Sequence, residues 1–131
     1  MLSQVRWLRV VTAAFVIEVG LIVTTLPFIP LLDDALVFRV VVPLACLIVP
    51  FGVTFIATRP LPTARVLNGL LTGIVATAMY FVLVVVASSI DEAVASYGSV
   101  ALLAGVNVLR IVSAAAGGFT ADRRSAAPNA A

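Results

Sequence analysis

Residues 10–29 read VVTAAFVIEVGLIVTTLPFI, an unbroken apolar run with one ionisable side chain, Glu18, near its middle. A helix rises 1.5 Å per residue, so about 20 such residues cross the roughly 30 Å hydrocarbon layer of a bilayer. The same pattern returns at Leu36–Ala57, Ala64–Ala87 and Ala95–Phe119. Each run is continuous rather than alternating, which points to membrane helices and away from barrel strands. The composition agrees: of 131 residues, 63% are hydrophobic and 11% charged, with a mean hydropathy of +1.22. A soluble domain carries roughly a quarter charged residues, so this chain cannot cover a globule with polar surface.

The punctuation between the runs fits short connections. Pro27 and Pro30 close the first run, and Asp33-Asp34 fill the turn before the second. Thr58-Arg59-Pro60-Leu61-Pro62 makes the middle loop, with Thr63 as a cap for the third helix. Ser89-Ile90-Asp91-Glu92 has capping-box spacing and opens the fourth helix ahead of its membrane portion, which Gly117-Gly118 ends. Short connections make neighbouring helices antiparallel. The expectation is an all-α integral membrane four-helix up-down-up-down bundle: one domain over residues 1–120, with spans near 10–29, 36–57, 64–87 and 95–119. Residues 121–131 are expected to form a disordered cytoplasmic tail.

Arginine placement sets the orientation. Arg6, Arg9, Arg59, Arg65, Arg123 and Arg124 fall at one end of such a bundle, and Arg39 alone falls near the other. The positive-inside rule then puts both termini in the cytoplasm and the chain in the inner (plasma) membrane. Arg6 and Arg9 resemble the charged start of a signal peptide. Glu18 interrupts the apolar core, however, and no cleavage pattern follows, so the first run reads as a signal anchor. The pI of 9.3 follows from the arginine asymmetry and calls for no nucleic-acid partner. Asp33-Asp34 and Asp91-Glu92 sit where carboxylates favour the positive ends of helix dipoles; a cation-attracting rim is the alternative reading.

The inventory narrows the chemistry. There is no His, one Cys, and every basic residue is Arg. Imidazole catalysis, His-ligated metals, a lysine Schiff base and an intrachain disulfide are thereby excluded. No cofactor is expected. Nothing pairs a nucleophile with a base or clusters acids, so the chain does not read as an enzyme.

Glu18 and Arg110 are the costly residues, on the order of 2.5–3.5 kcal/mol near the membrane centre for such charges. Glu18 lies about 16 Å along the helix from Trp7, and Arg110 about 14 Å from Phe119. Both distances run from the cytoplasmic side, which predicts a Glu18–Arg110 pair at one level. Asn107, one turn from Arg110, is expected to reach the same carboxylate. The pair is open to three readings: helix-registering glue, a functional role as a proton or ion relay or a substrate counter-charge, or independent placement with Arg110 snorkelling outward. Arginine favours the ionised carboxylate, which makes a poor proton carrier and favours glue.

Small residues define packing faces. Gly69 and Gly73 form a G-x-x-x-G continued by Thr77, while Gly105, Ser113 and Gly117 recur at multiples of four in the fourth run. Such faces let backbones approach, either inside the bundle, the preferred reading, or in a homo-oligomer. Pro43 and Pro50 predict a kinked second helix, with an unwound cation site as the alternative. Cys46 reads as a packed thiol, Asn68 as a cap or bridge near the cytoplasmic surface, and Arg39 as snorkelling to the headgroups.

A glutamate embedded in the first of four helices, within Ala14-Phe15-Val16-Ile17-Glu18, resembles the small multidrug resistance transporters. That resemblance implies proton exchange against a cationic drug at Glu18 within a dimer. The aromatic residues that family places around its glutamate are mostly missing, and Arg110 would neutralise a cation site. A looser resemblance, carried by Gly69-Leu70-Leu71-Thr72-Gly73 and by Gly117-Gly118 ahead of Arg123-Arg124, is to the uncharacterised four-span bacterial inner-membrane proteins; it implies a fold and no chemistry. The reading is therefore a structural, assembly or interaction component of the membrane. Its partners are the lipid bilayer and a second copy or another membrane protein. A small transporter or channel using Glu18 is the alternative.

Overall fold

The computed structural model describes residues 4–126. Helix α1 (Trp7–Thr25) is closed by a 3-10 turn at Leu26–Phe28 that carries Pro27. Helix α2 runs Asp34–Thr58, α3 Arg65–Ala87, α4 Ile90–Tyr97 and α5 Val100–Ala126. Among the described residues there is no strand. The four longer helices are each long and apolar enough to cross a membrane.

On α1 the buried residues are Val10, Ala13, Ala14, Ile17, Glu18 and Leu21, alternating steps of three and one that trace a single helical face. The opposite faces are just as apolar: Leu8 is 83% and Val86 80% exposed. A soluble protein would have polar residues there, so lipid is the solvent this surface suits. Helix α5 packs extensively on α2 and α3, and α1 packs on the same two helices from the other side. That leaves α1 and α5 across a diagonal with scarcely any direct contact.

Hydrogen bonds tie four helix ends together. The Arg6 amide donates to Asn68 Oδ1 (2.9 Å), and Asn68 Nδ2 donates to the Ala64 carbonyl (2.8 Å). Arg65 Nη1 reaches Asp122 Oδ1 at 3.4 Å, and Arg9 Nη1 reaches the Ala57 carbonyl at 3.4 Å. The starts of α1 and α3 and the ends of α2 and α5 therefore meet. Asn68 bridges α1 and α3 but caps neither, and Thr63 does not cap α3. The residue at that position is Ala64, at φ 55°, and no side chain caps from it. Turning through the left-handed region there takes Thr63 out of line with the first free N–H groups.

The Asp33 carboxylate caps α2 by accepting from the Leu36 amide at 2.8 Å. A π-helical stretch, Val37–Val41, precedes Pro43, the kind of widened turn that accommodates a missing backbone donor. Further along, the Ser113 hydroxyl of α5 donates to the Leu47 carbonyl, in the turn that Pro50 interrupts. Arg39 is exposed, and its guanidinium lies over Gly98.

The fourth apolar run departs from expectation at both ends. Ser89 Oγ accepts from the Glu92 amide at 3.2 Å, but the helix it opens is the short α4. Gly98, at φ 80°, stops that helix, and its amide bonds back to Val94 and Ala95. The long helix then starts afresh at Val100, with Ser99 Oγ accepting from the Leu102 amide. At the other end Gly117-Gly118 do not terminate it. A Cβ on Gly117 would run into the Phe51 carbonyl, and one on Gly118 would stand 2.5 Å from the Arg65 carbonyl. Close backbone approach is what these glycines serve, and tertiary contact overrides their poor helix propensity. The helix carries on through Ala126, so residues 121–126 are not a disordered tail; residues 127–131 lie outside the described residues.

Gly98→Ala should lower stability by about 1–2 kcal/mol, the cost of holding an L-residue in the left-handed region. Its Cβ would also meet Arg39 Nη2 at 3.0 Å, a flexible group that is able to move aside. Denaturation of the variant in detergent micelles, compared with wild type, checks the value; an unchanged midpoint would show that the α4–α5 corner tolerates a side chain.

Candidate functional site

Glu18 belongs to the buried face of α1, eight residues beyond Val10, and Arg110 to the buried face of α5, between Asn107 and Ser113. These faces look at each other across the diagonal, so a side chain joining them has to be long. Arg110 Nη1 donates to Glu18 Oε1 at 2.7 Å and lies 3.4 Å from the Ala76 carbonyl of α3. Arg110 is 3% and Glu18 6% exposed. The guanidinium carbon stands 4.8 Å from the centre of the Tyr80 ring, on the same helix as Ala76. A carboxylate, a carbonyl and an aromatic face thus surround one cation from two helices, each stabilising its charge. Arg110 Nε is buried without a hydrogen-bond partner.

Asn107 does not join this set. Its Nδ2 donates to the Leu103 carbonyl of its own helix at 2.8 Å, and its Oδ1 has no partner. The carbonyl one turn back is always within reach of such a side chain, and it wins over a carboxylate on a distant helix.

A cavity of about 170 Å³ adjoins the pair, with Cys46, Tyr80 and Tyr97 in its wall beside Glu18 and Arg110. Cys46 is fully buried and unpaired. Tyr97, at the end of α4, packs edge-on against Phe38 with ring centres 5.2 Å apart. Burial, together with neighbouring Tyr80, pushes the Tyr97 phenol well above its usual range. The sequence offers Tyr80, with Phe81, as an aromatic neighbour for Glu18 but assigns it no part in the pair, and it does not point to Tyr97. For Tyr80 a signal existed: it extends the stripe Gly69, Gly73, Ala76 by one more turn of the same face. Tyr97 lies beyond the Gly98 break and offered none.

Among the small residues, a Cβ on Gly69 would stand 2.8 Å from the Ala114 carbonyl, and one on Gly73 2.8 Å from Ile111 Cα. That face therefore packs internally on α5. Gly105 is a correction: nothing lies within 4 Å of where its Cβ would be. The reason is helical drift. Each step of four residues overshoots a full turn by about 40°, so three steps carry Gly105 about 120° away from Gly117.

Among the described residues no group of three His, Cys, Asp or Glu is placed to hold a metal ion. No protein-family model, curated protein or solved structure matches the chain.

Proposed function

We propose that this is a small, non-enzymatic protein of the inner membrane, an up-down-up-down bundle with both termini cytoplasmic, serving a structural, assembly or interaction role. The observation that carries the reading is the 2.7 Å contact between Arg110 and Glu18, both buried, linking the two helices that otherwise barely touch. Each charge is cancelled where it would cost most, and the link fixes the register of α1 against α5. An internally neutralised carboxylate is a poor site for an exchanging cation. The orientation rests on arginine: the end where α1 and α3 start carries Arg6, Arg9, Arg59, Arg65, Arg123 and Arg124. An interaction role takes another membrane protein or a second copy as partner, through faces outside the internally packed glycines.

A small transporter or channel using Glu18 is the second reading, and one observation favours it. The cavity beside the pair, about 170 Å³, is large enough to hold water next to Glu18. Reconstitution into liposomes separates the two. The structural reading expects proton and cation flux equal to that of protein-free liposomes, in wild type and Glu18→Gln alike. Flux above that baseline in wild type, lost in Glu18→Gln, would replace it with transport.

A further inference from the structure

Where α1 passes α2 near the arginine-rich end, the facing residues are small: Thr12 and Ala13 on one helix, Ala57 on the other. They leave a furrow of about 430 Å³ whose floor and sides are otherwise apolar. Val16 and Ile56, on its walls, are 45% and 72% exposed, so the furrow opens sideways to whatever surrounds the bundle. At its head stands Arg9, which among the described residues bonds only the Ala57 carbonyl, at 3.4 Å. A cation there suits the negative end of α2 but leaves most of its guanidinium fork unused.

The charge balance at this end is lopsided. Among the described residues Asp122 is the carboxylate there, and Arg65 Nη1 lies 3.4 Å from it. Arg123 and Arg124 lie over the rings of Phe119 and Phe55. Among the described residues Arg9 has no carboxylate within ion-pairing distance. An exposed arginine above an apolar, laterally open furrow matches one molecule in both halves: a phosphate for the fork, an acyl chain for the furrow. A second copy inserted in the same sense would bring its own arginines to this level and be repelled.

We infer that the α1–α2 furrow is a binding site for an anionic phospholipid, its phosphate on Arg9 and one acyl chain along Ala13, Val16, Val53 and Ile56. This goes beyond the proposed function and needs only that the bundle sits in lipid.

The reporter is a tryptophan on the furrow wall, Ile56→Trp, at a position 72% exposed, in a Trp7→Phe background. Trp7, the single native tryptophan, does not serve, because two helical residues from Arg9 put it on the far side of α1 from the furrow. This reporter protein is reconstituted in equal mixtures of phosphatidylglycerol and phosphatidylcholine, with bromine on the acyl chains of one lipid at a time. Bromine quenches tryptophan at short range. The expected result is apparent affinity at the reporter about fivefold higher for phosphatidylglycerol, the worth of one arginine near an anionic lipid. That preference should vanish when Arg9→Gln is added and persist when Arg123→Gln is added, which removes the same charge elsewhere at that end. Ala13→Phe, which fills the furrow, should reduce it as well. Equal quenching by the two lipids in the reporter protein would overturn the site. Equal loss with Arg9→Gln and with Arg123→Gln would reduce it to general charge attraction and overturn it too. Shielding of the reporter from both lipids that deepens with protein density would put a second copy in the furrow instead.

Discussion

Glu18→Gln will destabilise the bundle more than Arg110→Gln, although the two substitutions break the same 2.7 Å contact. The asymmetry comes from what each leaves behind. Without Arg110, the carboxyl is able to take up a proton and become neutral, with the cavity beside it for its remaining polarity. Without Glu18, a guanidinium stays charged among apolar helices, because arginine does not deprotonate in proteins. Breaking a buried ion pair costs about 3–5 kcal/mol in soluble proteins. Glu18→Gln should fall in that range, partly offset by the Ala76 carbonyl and the Tyr80 ring, and Arg110→Gln below it. The double variant should lose less than the sum, with a coupling above ~1.7 kcal/mol, the upper value for neutral hydrogen bonds between membrane helices. Equilibrium unfolding in mixed micelles gives all four corners of the cycle. Additive losses would mean that the pair does not register the helices; Arg110→Gln as the worse variant would mean that its contacts to Ala76 and Tyr80 outweigh the charge left by Glu18→Gln.

Lipid is what makes depth legible in this sequence. A bilayer imposes a length on each helix and a steep cost on each charge, so spans and depths follow from counting residues. That counting put Glu18 and Arg110 at one level, and the 2.7 Å contact joins them there. Local signals were less decisive because the same residue type answers two different needs. Glycine is the plain case. Gly98 ends a helix by adopting φ 80°, while Gly117 and Gly118 sit inside one so that neighbouring carbonyls come close. In the sequence all three are small residues close to one or other boundary of the fourth apolar run, and which need applies depends on helices that are distant in the chain. Asn107 shows the same ambiguity for a polar side chain, with a local carbonyl competing against a distant carboxylate. Tyr97 was hidden for a further reason: its place in the cavity wall depends on the Gly98 corner itself.

Two glycines of α5 should respond to the same substitution with opposite signs. At Gly117 an added Cβ would collide with the Phe51 carbonyl and stand 3.0 Å from the Phe55 amide nitrogen, both backbone atoms of α2. Backbone cannot rotate away as a side chain does, so α5 and α2 have to separate. That separation loosens the extensive α2–α5 contact and strains the bond from Ser113 to Leu47, one turn away. Forcing extra atoms into a packed core costs about 1–3 kcal/mol, and Gly117→Ala belongs at the upper end because the obstruction is backbone. At Gly105 the space is open and the residue helical, so alanine only removes chain entropy from the unfolded state. Gly105→Ala should therefore stabilise by up to about 1 kcal/mol. The comparison is internally controlled, since both changes add one methyl to one helix and alter no charge. Thermal unfolding of the two variants beside wild type in the same micelles reads the signs directly. If both destabilise alike, the close approach at Gly117 is not what holds α5 against α2, and the packing described for that helix fails with it.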